Sequence, residues 1–146
     1  MPIKQLPSTE AFETLQQSPA AIYLDVRTER EFAQGHAAGA INIPVVFIKG
    51  PGQMQVNPDF LEVVEKVVPK NQKLVVGCQS GGRSMRACEM LEEAGYTDLT
   101  NLAGGFGGQR DQAGNVIVTG WRESGLPVST DLGDASYEAQ RKKAGL

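Results

Sequence analysis

The stretch that most constrains this chain is residues 73–94, KLVVGCQSGGRSMRACEMLEEA, where an apolar run meets a cysteine, a glycine-bearing turn, an arginine and an amphipathic run. Leu74, Val75 and Val76 are consecutive apolar residues without alternation. That is the pattern of a strand covered on both faces, as in a parallel sheet. From Ser84 onward Ala87, Cys88, Leu91 and Ala94 recur at helical spacing, and Gly95 supplies a stop. Cys78 therefore stands at the C-terminal end of a buried strand. Gln79, Ser80, Gly81, Gly82 and Arg83 form the tight loop that leads into the helix.

The first turn of a helix has backbone N–H groups without partners and carries partial positive charge, so an anion is stabilised there. Gly81 and Gly82 allow positive φ or close approach, so that successive amides can turn inward as an anion nest. Arg83 adds a fixed charge. A thiol in such surroundings ionises more readily than a free one, which predicts Cys78 as a nucleophile cradled by the amides of Gln79 to Ser84. A cysteine after an apolar strand is often just a small buried hydrophobe. A purely structural cysteine, however, needs neither the glycines nor the arginine.

The rest of the chain alternates between the two kinds of element. Residues 3–6 suit a short first strand, and Ser8 an N-cap for a helix to about Gln17, with Pro19 beyond its end. Residues 21–26 read as a buried strand that delivers Asp25 and Arg27 to its C-terminal edge, where open parallel sheets bind ligands. Thr28 and Glu31 make a capping box for a helix that ends at Gly35. Residues 40–43 suit a third strand. Residues 49–57 read as a loop, after which Asn57 caps a helix with Pro58 at its first position. Residues 99–102 form a last strand. The order predicts an α/β fold with a parallel sheet and helices on both faces.

Three stretches, in order, resemble signatures of the rhodanese (thiosulfate sulfurtransferase) family. Cys78 to Ser84 resembles its active-site loop, with the pattern Cys-x-x-Gly-x-Arg; residues 23–27, 31–32 and 35–44 are similar to its N-terminal signature; and residues 102–106 with Trp121 and residues 125–128 are similar to its C-terminal one. The resemblance implies a rhodanese-like fold with a five-stranded sheet, in a single domain over residues 1–128. It also implies sulfur transfer: Cys78 takes a sulfane sulfur from thiosulfate or a similar small anionic donor, and passes it to cyanide, glutathione or a thioredoxin-like thiol. No cofactor or metal is implied. In this reading the loop from Gln79 to Ser84 binds the donor and holds the persulfide. Asp25 braces the loop by accepting from its amides or from Arg83, or is a simple loop cap, and Arg27 contacts the donor or pairs with a neighbour.

Two segments depart from the family pattern. The fourteen residues between Phe106 and Trp121 exceed the usual few; their turn and strand chemistry suggests a hairpin insertion at about 107–118, expected to border Cys78 or to be a plain surface excursion. The tail, residues 129–146, contains a polar stretch suited to a solvated or loosely docked helix.

Composition narrows the alternatives. A net charge of −3 gives no basic field, which argues against nucleic acid and anionic membranes as partners. The two cysteines and one histidine lack metal-ligand spacing, and a reducing, cytoplasmic setting is expected, or an organelle stroma or matrix if a transit peptide has been removed. His36, after Gly35, suits a structural bond to backbone, and Cys88 lies on the helix's inward stripe. A cysteine phosphatase or arsenate reductase could share the scaffold, but places five residues between cysteine and arginine, whereas four stand here. The smaller ring suits a single sulfur atom. A non-catalytic docking module would be expected to have lost the cysteine or the loop.

Overall fold

The computed structural model describes residues 3–18 and 20–146. The elements run β1 (Lys4–Leu6), α1 (Ser8–Gln17), β2 (Ile22–Asp25), α2 (Glu29–Gln34), β3 (His36–Ala37), β4 (Ile41–Asn42), β5 (Val46–Gly50), β6 (Gln53–Val56), α3 (Phe60–Val67) and β7 (Leu74–Gly77). They continue with α4 (Gly82–Glu93), β8 (Leu99–Leu102), β9 (Gln109–Arg110), β10 (Val116–Val118), β11 (Val128–Ser129) and α5 (Tyr137–Lys143). The stop assigned to Pro19 lies outside the described residues.

Five strands form one sheet in the order β1-β8-β7-β2-β4, all parallel. β7 is central, which explains its unbroken apolar run: Leu74, Val75 and Val76 are each 0% exposed. Side chains alternate across the sheet. Leu24, Leu74 and Val76 meet Phe60, Val63 and Val64 of α3 and Ala87, Cys88 and Leu91 of α4. Tyr23 and Val75 share the other layer with Ala11 of α1, Phe32 of α2, Phe106 and Trp121. Burying each large apolar side chain contributes about 1.5–3 kcal/mol, so these two layers carry the fold. The register sets Asp25 beside Gly77, so residues 26–27 and 78–79 leave the sheet together at one edge.

Four expectations are corrected by the tertiary packing. Pro7, not Ser8, occupies the cap of α1; Ser8 is helical, and its buried hydroxyl has no partner among the described residues. Residues 49–57 are mostly an antiparallel hairpin, β5 with β6, turning through Pro51 and Gly52. Asn57 accepts from the Asp59 N–H at 3.0 Å, but pins a turn, and α3 begins only at Phe60. The tail helix docks firmly. Tyr137, Gln140 and Ala144 lie on one buried face, and the Tyr137 hydroxyl accepts from Asn57 Nδ2 at 3.0 Å. The polar composition of α5 hid that stripe because its charged residues all face outward. The hairpin expected within 107–118 is present as β9 and β10.

Tyr23 lies against the strand that carries the cysteine. A Cβ on residue 77 would sit 2.7 Å from the Tyr23 hydroxyl, so only glycine fits there. That hydroxyl has no hydrogen-bond partner among the described residues, and burial, then the nearby Asp25 charge, pushes its pKa well up. Removing an unsatisfied buried hydroxyl should help: Tyr23→Phe is expected to raise stability by about 1 kcal/mol in urea unfolding. A loss of stability would show that the hydroxyl holds a partner.

Candidate active site

Cys78 is the first residue past β7, and its sulfur accepts a hydrogen bond from the Gly81 N–H at 3.1 Å. Gly81 is the N-cap of α4, in the left-handed region at φ 119°, and offers no capping side chain. A serine or aspartate at this cap would place its own oxygen on the first-turn amides. Here those amides have no such cap, at the positive end of a 12-residue helix whose N-cap N–H bonds the sulfur. Gly82 has no left-handed φ; it is the first helical residue, and a Cβ on it would meet open space. Its value is the room it leaves.

A second loop holds the first from behind. The Phe106 N–H donates to the Cys78 carbonyl at 2.8 Å, and the Gly107 N–H to the Gln79 carbonyl at 2.9 Å. The approach is close enough that a Cβ on Gly105 would run into the Cys78 carbonyl, and one on Gly107 into the Gln79 side chain. Only the family resemblance, not spacing, pointed to residues 102–106.

The side chains of the loop divide. Ser84 is 0% exposed; its hydroxyl donates to Asn101 Oδ1, and Asn101 Nδ2 donates to Gln5 Oε1 at 2.9 Å. This chain pins the helix start to β8 and β1, so the expected donor contact from Ser84 reduces to its amide. Arg83 is also committed: its two Nη atoms donate to the two carboxylate oxygens of Glu31 at 2.7 and 2.9 Å. Asp25 contacts neither the loop amides nor Arg83. Its oxygens accept from the Arg27 backbone N–H at 3.0 Å, from Arg27 Nε at 3.1 Å and from Nη2 at 2.8 Å, while Arg27 Nη1 lies 3.4 Å from Gln79 Oε1. Asp25 thus reaches the loop at one remove, through Arg27.

Glu31 was legible as a capping residue and as part of the N-terminal signature, and it does cap, accepting from the Thr28 N–H at 3.1 Å. Nothing in the spacing reveals its ion pair with Arg83, because the partners are 52 positions apart. Burial tends to raise its pKa, but the hydrogen bonds and charge of Arg83, with Thr28, outweigh it and hold the carboxyl at about 2. The pKa is depressed on folding, so the stabilisation is full above about 4.5 and is lost as pH falls toward about 2. Glu31→Gln is therefore expected to cost about 1 kcal/mol at pH 7 and much less near pH 2. Urea midpoints at both pH values check this; an equal loss at both would assign it to packing.

Cys78 lines a cavity of about 400 Å³ together with Val45, Val46 and Met54 and with Ser80, Gly82, Arg83 and Arg86. Cys78 is only 1% exposed. The rim facing α4 therefore comes from the β5–β6 hairpin; residues 107–118, expected either to border Cys78 or to be a plain surface excursion, do not line this cavity. Arg86 is exposed and has no ionic partner among the described residues. His36 serves structure: Nδ1 is 2.8 Å from the Phe32 carbonyl, and the ring stacks on Phe32 at 3.7 Å. Cys88 is buried, and burial, then the charge at Cys78, pushes its thiol up to about 12.

Comparison with known proteins agrees with this architecture. The model of the rhodanese-like domain matches residues 8–110. Thiosulfate sulfurtransferase 16, chloroplastic, of Arabidopsis thaliana is 44% identical over 106 residues, 73% of this chain and 78% of that protein. Thiosulfate sulfurtransferase 18 of the same plant is 36% identical over 111 residues, 75% of this chain and 72% of that one. Some other curated relatives are longer, and the chain spans about half of their length. The crystal structure of Rv0390 from M. tuberculosis superposes with a TM-score of 0.75 at 29% identity, over 90% of this chain and 100% of that one. A strand-end cysteine cradled by a helix start, on a five-stranded parallel sheet and within a matched span of this extent, makes the chain a member of the rhodanese-like domain family.

Proposed function

We propose that this protein is a sulfurtransferase that carries a sulfane sulfur on Cys78. The observation that carries the reading is the 3.1 Å bond from the Gly81 N–H to Cys78 Sγ beside an uncapped helix start. Negative charge on that sulfur, or on a second sulfur attached to it, is held by oriented amides that need no reorganisation. In the first half-reaction the Cys78 thiolate attacks the outer sulfur of thiosulfate. The S–S bond breaks, sulfite leaves with the electron pair, and a Cys78 persulfide remains. In the second, an acceptor thiolate or cyanide attacks the terminal sulfur and returns the thiolate.

The cavity suits this division of labour. Arg83 is neutralised by Glu31, so the charge that draws in an anionic donor comes from Arg86, with the helix start behind it. Val45, Val46 and Met54 provide an apolar wall for the body of an acceptor such as glutathione or a thioredoxin-like protein. The four residues between Cys78 and Arg83 favour one sulfur over a tetrahedral oxyanion. Two free cysteines fit a reducing compartment, whether cytosol or organelle, and the named relative is chloroplastic. No helix among the described residues is long and apolar enough to cross a membrane.

Incubation of the reduced protein with thiosulfate is expected to add about one sulfur mass, ~32 Da, reversed by dithiothreitol. Intact-mass spectrometry reads this directly. A folded protein that gains no mass, although Cys78 alkylates freely, would sink the proposal.

A further inference from the structure

Consecutive residues past β7 look into different cavities. Cys78 opens on the α4 side, whereas Gln79 lines a second cavity of about 260 Å³ with Arg27, Gln34, Phe106 and Arg122. Glu31 also borders this cavity, but its oxygens are taken up by Arg83 and Thr28, so its charge is spent. The guanidinium carbons of Arg27 and Arg122 lie 4.6 and 5.5 Å from the centre of the Phe106 ring, so two guanidinium groups lie at one ring, Arg27 with its charge balanced by Asp25 and its free N–H as the donor it offers. Arg122 has a loose partner of its own, Glu123 at 3.6 Å.

Arg27 is 3% exposed, and its donors are unevenly used. Nε and Nη2 are saturated by Asp25 and by the Gly35 carbonyl, whereas Nη1 has only the 3.4 Å contact to Gln79 Oε1. That leaves a buried guanidinium edge facing the cavity with N–H capacity to spare. Buried donors of this kind cost stability unless something accepts from them. Gln34 and Gln79 add neutral amide donors at the same wall.

We propose that this second cavity binds a small inorganic oxyanion of the sulfite or sulfate class, at a site distinct from the Cys78 mouth. An anion there takes up Arg27 Nη1 in place of Gln79 Oε1 and so loosens the residue next to the nucleophile. Sulfate, which cannot reverse the first half-reaction, then inhibits without occupying the mouth, noncompetitively with thiosulfate, and sulfite does so in addition to its reverse reaction with the Cys78 persulfide. This kinetic consequence rests on the sulfurtransferase reading; the binding site does not.

The test is therefore an equilibrium one without turnover. Reduced wild-type protein is titrated with sulfate, sulfite and phosphate while the side-chain N–H signals of Arg27 and Gln79 are followed by NMR. Saturable shifts of both are expected. Arg122→Ala, a change at a 59% exposed side chain, should weaken binding about tenfold, and Arg86→Ala at the mouth should leave it within about twofold. Tighter binding of sulfite than of phosphate would support the site as one for the reaction product, and equal binding would support it as a general oxyanion site. Absence of saturable shifts, or shifts abolished by Arg86→Ala and kept in Arg122→Ala, would overturn the inference. Either result leaves the mass-gain test of the persulfide unaffected.

Discussion

Cys78→Ser is expected to lower sulfur transfer by about a thousandfold or more, and to abolish the mass gained from thiosulfate. The reason is chemical rather than steric. A serine hydroxyl fits the space of a 1% exposed sulfur and can still accept from the Gly81 N–H, so the cradle survives. A hydroxyl at neutral pH is not ionised by a helix start alone, however, and the loop offers no base to deprotonate it. The single histidine of the sequence, His36, is engaged by the Phe32 carbonyl. Thermal unfolding should therefore change little while turnover disappears. Turnover that persists in a folded Cys78→Ser protein would move the chemistry to another residue.

Gly105→Ala is expected to damage function severely, though less than Cys78→Ser, without touching a reacting group. Residue 105 has φ 59°, in the left-handed region, and a Cβ there would strike the Cys78 carbonyl and the Gln79 backbone. The loop of residues 103–107 must then retreat, which breaks the Phe106 and Gly107 bonds to the cysteine loop. Two lost backbone bonds and the strained φ sum to a destabilisation of about 3 kcal/mol. Displacement of Cys78 from the Gly81 amide by a fraction of an ångström should cost about a hundredfold in turnover. Gly39→Ala separates the causes: it has a left-handed φ of 88° with open space around a Cβ, so only the backbone term of about 1 kcal/mol applies. Urea unfolding of the two variants side by side reads the difference. Equal losses would mean that the two loops are not in the contact described.

Much of this molecule was legible in its residues because the informative interactions are local. The apolar run of β7, the helical stripe of α4, the Thr28–Glu31 capping box and the glycine at position 81 each act within one turn or one strand. Patterns at spacings of two to four residues record them directly. The hairpin of residues 46–56 was missed because Gly50, Pro51 and Gly52 read as loop punctuation, and its strands are short and largely exposed. The tail helix misled for the opposite reason, since three inward positions among charged neighbours give a weak average.

The sequence by itself determined the place of Cys78 and the strand end and helix start that meet there. These follow from the order of residue types along a single stretch of chain. Only the tertiary structure decided what surrounds that residue. It paired Arg83 with Glu31, passed the charge of Asp25 to the loop through Arg27, turned Ser84 inward to Asn101, and set the glycines of residues 104–107 against the cysteine loop. Each of these joins parts of the chain that have no local periodicity in common. Their geometry depends on strand order and register, which no pattern within one segment encodes.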